Sequence, residues 1–281
     1  MAGTLLSIGH GYTARALARR LGPDWQVIGT TRSSEKAARL ARAGVEPLVW
    51  PGADLDRALS RASHLLCSVA PGPEGDPVLA AAGATLARAR QLRWVGYLST
   101  TGVYGDHGGG WVDEETPLTP GTARGEARVA AEADWAALDL PMHIFRLAGI
   151  YGPGRSALDQ VRAGTARRIV KPGQVFSRIH VEDIAEVLAT SMARPAAGAV
   201  YNVADDLPAP PQDVVACAAE LLGVAPPPEL AFEDADLSPM AKSFYSESKR
   251  VSNARIKERL GVSLAYPDYR AGLAALLKAG F

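Results

Sequence analysis

The sequence predicts an α/β fold, a doubly wound parallel sheet followed by a smaller C-terminal α+β lobe. Three observations predict it. Short apolar runs alternate with Ala/Arg-rich segments through the first half, and these runs are almost continuously hydrophobic. After about Gly149 the rhythm changes, with frequent proline and glycine. Continuous apolar runs suit strands covered on both faces, and strand–helix repetition implies right-handed crossovers in one parallel sheet.

The elements follow in order. "TLLSIG", "WQVIGT", "VEPLVW", "HLLCSVA", "RWVGYLS" and "MHIFRLA" read as strands. Between them "YTARALARRL", "SEKAARLARA", "DLDRALSRA" and "PVLAAAGATLARARQL" place apolar residues at three- and four-residue spacing, the mark of helices. "TARGEARVAAE" (122–132) reads as a further helix with Arg124 and Arg128 on one face. Helices are also expected near 181–194, 210–222, 252–260 and 267–279, and "YGPGRS", "LPAPP" and "VAPPPEL" read as loops.

Composition excludes several classes of function. Acidic and basic residues balance at 30 each over 281 residues, so no net field favours nucleic acid or an anionic membrane. No apolar run reaches the ~18 residues of a membrane span. The start, "MAGTLLSIGHGYTARAL", turns glycine-rich too soon for a signal peptide. Cys67 and Cys217 lie in separate apolar segments, which points to buried thiols in a reduced cytoplasm. The five histidines form no pair at metal-ligand spacing, so no metal is expected.

"SIGHGYTARAL" places Gly9, Gly11 and Ala14 as G-x-G-x-x-A between the first strand and the first helix. In that context the pattern points to a dinucleotide. Gly9 makes the tight turn, Gly11 admits a pyrophosphate to the helix N-terminus, and Ala14 keeps the helix close to the sheet. Tyr12 and Thr13, at the helix start, are candidate contacts. The alternative is a glycine-rich turn with no ligand. About twenty residues on, "GTTRSSEK" offers Thr31 and Arg32 and no acid before Glu35. A carboxylate there would accept from a free 2′-hydroxyl, whereas Arg with flanking hydroxyls suits a 2′-phosphate. NADP is therefore expected over NAD. The other reading is a solvated Arg32, and Ser33 serves as N-cap of the next helix on either reading.

Five segments in order, "LSTTGVYGD" (98–106), "VDEETPLTP" (112–120), "FRLAGIYGPGR" (145–155), "RIHVEDIAEVL" (178–188) and "YNVADD" (201–206), resemble the extended short-chain dehydrogenase/reductase superfamily of the NAD(P)-dependent epimerase/dehydratase type. "FYSESKRVSNARIKERLG" resembles the closing segment of a bacterial branch of it. The resemblance implies a dinucleotide-binding Rossmann domain over 1–150 with returning segments about 174–206. The remainder of 151–281 would be a substrate-binding lobe, with substrate in the cleft between sheet and lobe. It also implies that Ser68, Ala70 and Pro71 line the diphosphate and nicotinamide ribose, that Gly149 and Ile150 lie near the nicotinamide, and that Thr100 is the catalytic hydroxyl. Relatives often dimerise through the helix after the fourth strand and the 122–138 helix, so a homodimer is one expectation.

Two departures stand out. The superfamily's catalytic helix carries Tyr-x-x-x-Lys with an acid four residues beyond. Anchoring on Glu132 puts Arg128 at the Lys position and Arg124 at the Tyr position. Arginine stays protonated, so Arg124 cannot cycle as acid and base. Arg124 would then hold an anionic substrate group, stabilise an oxyanion, or serve as surface charge. Arg128 would hold ribose hydroxyls or pair with Glu132 at i,i+4. Tyr104 is the nearest substitute acid, though by family pattern a packing residue. In the second departure, Phe176 stands where nucleotide-sugar members carry an Arg that reads the diphosphate, and Arg178 lies two positions along. His180 and Asp183 are expected to fix the strand-to-helix corner, Asp183 near an N-cap. Two functions stay open, an NADP(H)-dependent oxidoreductase, epimerase or dehydratase acting on a small molecule, and a non-catalytic NADP(H) sensor or scaffold.

Overall fold

The structure, a computed structural model, describes residues 2–281. Its elements begin with β1 (Gly3–Ile8), α1 (Tyr12–Leu21), β2 (Trp25–Thr31), α2 (Ser34–Arg42), β3 (Glu46–Val49), α3 (Leu55–Arg61), β4 (His64–Cys67), α4 (Pro77–Leu86) and β5 (Trp94–Thr100). They continue with β6 (Trp111–Val112), α5 (Ala123–Ala136), β7 (Met142–Leu147), β8 (Gly149–Tyr151), α6 (Ala157–Arg162), β9 (Arg168–Val170), β10 (Arg178–His180) and α7 (Val181–Ala193). The last are β11 (Ala199–Val203), α8 (Pro211–Leu221), β12 (Glu229–Ala231), α9 (Pro239–Tyr245), β13 (Arg250–Val251), α10 (Ala254–Leu260) and α11 (Tyr269–Lys278).

All six predicted strands join one sheet, and β11 completes it in the order β11-β7-β5-β4-β1-β2-β3. β1 pairs in parallel with β2 and β4, β2 with β3, and β4 with β5. Chain order reverses between β1 and β4, which opens the ligand-binding crevice of a doubly wound sheet at the ends of those strands. The apolar runs become core: Leu6, Ile8, Leu65, Cys67, Val95 and Tyr97 pack with Val78, Leu86 and Trp135. Each such side chain contributes about 1.5–3 kcal/mol. Local signals set the helix starts. The side chains of Ser33, Asp54 and Asp76 cap α2, α3 and α4. Asp76 Oδ2 also accepts from Trp135 Nε1 at 2.9 Å, so one carboxylate caps α4 and holds the indole of α5.

The chain divides into two compact units. The first runs to Thr100 and adds Ala123–Arg146 and Ile184–Tyr201; the second comprises Thr101–Thr122, Leu147–Asp183 and Asn202–Phe281. Thr101–Thr122, read from sequence with the sheet, thus groups with the C-terminal segment, and the reason is visible. β6 pairs with β13, Ser248 N donates to Asp106 Oδ1 at 2.7 Å, and Lys249 Nζ donates to Gly105 O.

Three two-stranded parallel ribbons, β8 with β10, β9 with β12 and β6 with β13, belong to the second unit. Its core joins Tyr151, Leu158, Val214, Ala218, Leu273 and Leu276 from β8, α6, α8 and α11. Gly272 is required there, because a Cβ would stand 2.0 Å from Tyr151 Oη. Helices α7, α8, α10 and α11 lie where the periodicity placed them; α6 and α9 were not foreseen. Among the described residues, no helix is long and apolar enough to cross a membrane.

Candidate functional site

The first unit builds the glycine turn from β1, α1 and the ends of β2 and β4. Gly9 has φ +82°, and a Cβ there would stand 2.9 Å from Ser68 Oγ and 3.1 Å from Val69 Cγ2. The turn is tied down on two sides. Gly9 N donates to Thr30 Oγ1 at 2.7 Å and His10 N to Thr30 O at 3.0 Å, while Ser68 Oγ donates to Gly9 O. Gly11 is different. A Cβ on it would meet only Gly9 O, at 3.7 Å, so its outer face is open.

Gly11 is also the N-cap of α1, which has no side-chain cap and no acid in its first turn. With α2, α3 and α4 each capped by a side chain, α1 is left with its positive end and amide donors for an anion. Tyr12 is half-buried at that helix start, while Thr13 is buried with Ala14, Ala16 and Leu17. At the end of β2, Thr31 is half-buried and Arg32 exposed, and among the described residues Arg32 has no ion pair or hydrogen bond. Glu35 does not neutralise it, being engaged with Arg39 at 3.2 Å. Ala70 is exposed and Pro71 half-buried after β4. An uncapped helix start and an open glycine face fit a dinucleotide whose phosphates lie against α1.

The sequence reading missed His10. Its ring is buried, 8% exposed, and neither nitrogen has a partner among the described residues. Burial and Arg15 push its pKa down to about 4. The ring lies over Gly29, where a Cβ would approach Cγ to 2.9 Å. G-H-G in the turn and a glycine in β2 were the available signals.

On α5 the pairing alternative for Arg128 falls. Arg128 does not pair with Glu132. Its Nη1 donates to Tyr97 Oη at 2.9 Å and Leu98 O at 3.0 Å, and no protein acceptor meets its Nε or Nη2 among the described residues. Glu132 is instead taken by Arg146, whose Nη2 lies 2.8 Å from Oε2 and whose Nε donates to the same carboxylate, while Ser99 Oγ donates to Oε1. Both members of this ion pair are buried. Thr100 closes β5, half-buried, and Arg124 is exposed in the first turn of α5.

Two expectations need correction. Tyr104 is fully buried and its hydroxyl donates to Asn202 Oδ1 at 2.7 Å, so it packs and does not serve as the substitute acid. Asp183 does lie in the first turn of α7, near its N-terminus, and its carboxylate accepts from Ala265 N and Tyr266 N at 2.8 and 3.0 Å. Tyr-x-x-x-Lys spacing does occur once, at Tyr245 and Lys249. Helix α9 ends at Tyr245, and Lys249 Nζ is bound to Gly105 O and Glu247 Oε2, so these two residues do not stack along a helix. His180 does sit at the strand-to-helix corner, its Nδ1 accepting from Glu182 N at 3.3 Å. In the second unit Gly149 and Ile150 pair with Arg178 and Ile179, Gly149 exposed and Ile150 half-buried.

Comparison with known proteins gives the family and the fold. The model of the NAD dependent epimerase/dehydratase family matches residues 79–204. No curated protein sequence matches. A conserved protein of Silicibacter pomeroyi of unknown function is 62% identical over 99% of both chains, with a TM-score of 0.94. A Methylobacillus flagellatus protein assigned to the NAD-dependent epimerases/dehydratases is 30% identical over 100% of this chain and 99% of its own, with a TM-score of 0.74. The UDP-glucuronic acid 4-epimerase of Bacillus cereus, in complex with NAD, is 16% identical over 98% of this chain and 97% of its own, at a TM-score of 0.77, a likeness of fold alone. The chain belongs to the NAD-dependent epimerase/dehydratase family, within the extended short-chain dehydrogenase/reductase superfamily.

Proposed function

We propose that the chain is an NADP(H)-dependent oxidoreductase of atypical type, acting on a small anionic substrate in the cytoplasm. The observation that carries the cofactor choice is Arg32, exposed at the end of β2 with no acceptor among the described residues and no acid in the ribose position. The nicotinamide, when bound, supplies or accepts a hydride. The protein's part is positioning. Arg128, pinned by Nη1 to β5, offers Nε and Nη2 to ribose hydroxyls. Thr100 donates its hydroxyl to the reacting oxygen, and Arg124 places positive charge beside it without moving a proton. A second reading, an NADP(H)-binding sensor without turnover, draws on one observation. Tyr104, the nearest tyrosine to the Arg124 position in sequence, is buried with its hydroxyl donating to Asn202 and is not available as an acid.

Titration of the full chain with NADPH and NADH, read by nicotinamide fluorescence, tests the cofactor. NADPH is expected to bind at least about tenfold more tightly, a difference of about 1.4 kcal/mol. Arg32→Ala is expected to erase that preference and leave NADH binding unchanged. Equal affinities in the native protein would return the assignment to NAD.

A further inference from the structure

Arg178 is held in an unusual way. Its Nη1 donates to two main-chain carbonyls, Phe176 O at 2.9 Å and Ala209 O at 3.0 Å. The bridge between Phe176 and Ala209 brings those carbonyls together. No protein acceptor meets Nε or Nη2 among the described residues, and the side chain is half-buried. Asp205 lies beside it, and its N–H donates to Arg178 O at 2.6 Å. The two side chains form no ion pair. Asp205 is 1% exposed; Oδ1 accepts from Leu207 N at 3.3 Å, and Oδ2 is buried without a partner.

An arginine beside a buried aspartate ordinarily closes into a pair. Here Nη1 is committed elsewhere and the carboxyl stays apart. Burial raises the Asp205 pKa to about 8, the Leu207 amide and Arg178 opposing and Asp206 and Asp268 adding to the rise. Tyr151 also faces it, but its hydroxyl donates to Asp268 O at 3.3 Å. Tyr245 and Tyr269 flank Arg178, and among the described residues neither hydroxyl has a hydrogen bond. At neutral pH the group thus presents a fixed positive charge, a free guanidinium edge, a neutral carboxylic acid and two phenols. All of these can donate, and a ligand that accepts throughout is an anion.

We propose that Arg178 and Asp205 form a carboxylate-binding site in the second unit, the guanidinium edge taking the two oxygens of a small organic acid and the protonated Asp205 donating to one of them. One cation and one neutral acid match a single negative charge better than a phosphate dianion. The inference goes beyond the cofactor reading and rests on residues of the second unit alone.

The test is calorimetric titration of the cofactor-free full chain with acetate, benzoate and inorganic phosphate at pH 7 and pH 9. Acetate and benzoate are expected to bind more tightly than phosphate. Their affinity should fall about tenfold from pH 7 to pH 9 as Asp205 ionises around pH 8. Arg178→Met should weaken binding at least tenfold. Asp205→Asn should keep the affinity at pH 7 and remove the pH dependence, and that variant carries the test should Arg178→Met not fold. Phosphate binding as tightly as the carboxylates, no carboxylate binding, or a pH-independent affinity in the native protein overturns the proposal. Cofactor binding is read separately: NADPH binding without carboxylate binding defeats only this site, and the reverse defeats only the cofactor assignment.

Discussion

Arg146 in the first unit and Arg178 in the second both carry charge into the interior, and they are completed in opposite ways. Arg146 gives Nε and Nη2 to Glu132, which also accepts from Ser99, so its partner is a saturated carboxylate. Arg178 is fastened by one nitrogen to main-chain carbonyls and left open on the other edge, beside a carboxyl kept neutral. A buried guanidinium that meets a carboxylate through both Nε and Nη2 serves the fold. A guanidinium fastened on one side and open on the other has donors to give away. Arg128, with Nη1 on Tyr97 and Leu98 and the rest free, belongs with Arg178.

The largest expected effect is on the closed pair. Glu132→Ala strands the Arg146 charge and the Ser99 hydroxyl and should cost about 3–5 kcal/mol in urea denaturation. Glu132→Leu combined with Arg146→Met removes both charges and should recover most of that loss. A single variant costing under about 1 kcal/mol would mean that Arg146 finds water or another acceptor, and the contrast with Arg178 would fail.

Next comes the pH profile, where the buried histidines and Asp205 pull in opposite directions. Burial holds His10 and His64 in the first unit, and His180 in the second, at about 4 against 6.5 when unfolded. Below pH 6.5 the unfolded chain takes up protons that the folded chain refuses, so stability falls as pH drops from about 6.5 toward 4. Asp205 acts the other way. Folded, it keeps its proton up to about pH 8, whereas unfolded it releases it near 3.8, so its contribution declines as pH rises from about 4 to about 8. Of these four groups only Asp205 titrates between pH 6.5 and 8, and the native protein should lose about 2 kcal/mol across that interval at ~1.4 kcal/mol per pH unit. Asp205→Asn should remove this decline while leaving the acid limb in place. A native profile flat between pH 6.5 and 8 would mean that Asp205 is already ionised and the second arginine is closed after all.

How much of this was legible depends on how far each signal reaches along the chain. The strands and main helices could be read because their cause is local, in apolar runs and in caps such as Ser33 and Asp76. The glycine turn could be read for the same reason, its positive φ and its contacts lying where G-x-G-x-x-A put them. Pairings were another matter. Nothing in sequence chooses Arg146 over Arg128 for Glu132, although i,i+4 spacing favours Arg128; the choice is made when β7 enters the sheet. Likewise Arg178 and Asp205 are joined only when the segment after β11 meets β10, and the orphaned Oδ2 depends on where Nη1 has been fastened. His10 was hidden by its neighbours, since a histidine between two glycines reads as a loop residue until its ring is found over Gly29.

The smallest expected change in stability sharpens the distinction between open and closed sites furthest. Gly11 has φ −99°, which any residue adopts, and its Cβ would meet only Gly9 O at 3.7 Å. Gly11→Ala should therefore alter stability by no more than about 0.5–1 kcal/mol, the loss of a good N-cap residue being partly offset by a less flexible unfolded chain. The added methyl occupies the face by which a pyrophosphate would reach α1, so NADPH affinity should fall at least tenfold. Gly9→Ala supplies the contrast, because φ +82° and Ser68 Oγ at 2.9 Å strain the fold itself. Thermal melts of the two variants beside NADPH titrations separate the roles. Gly11→Ala binding NADPH as the native protein does would show that nothing approaches that open face, and the uncapped start of α1 would then have no ligand to explain it.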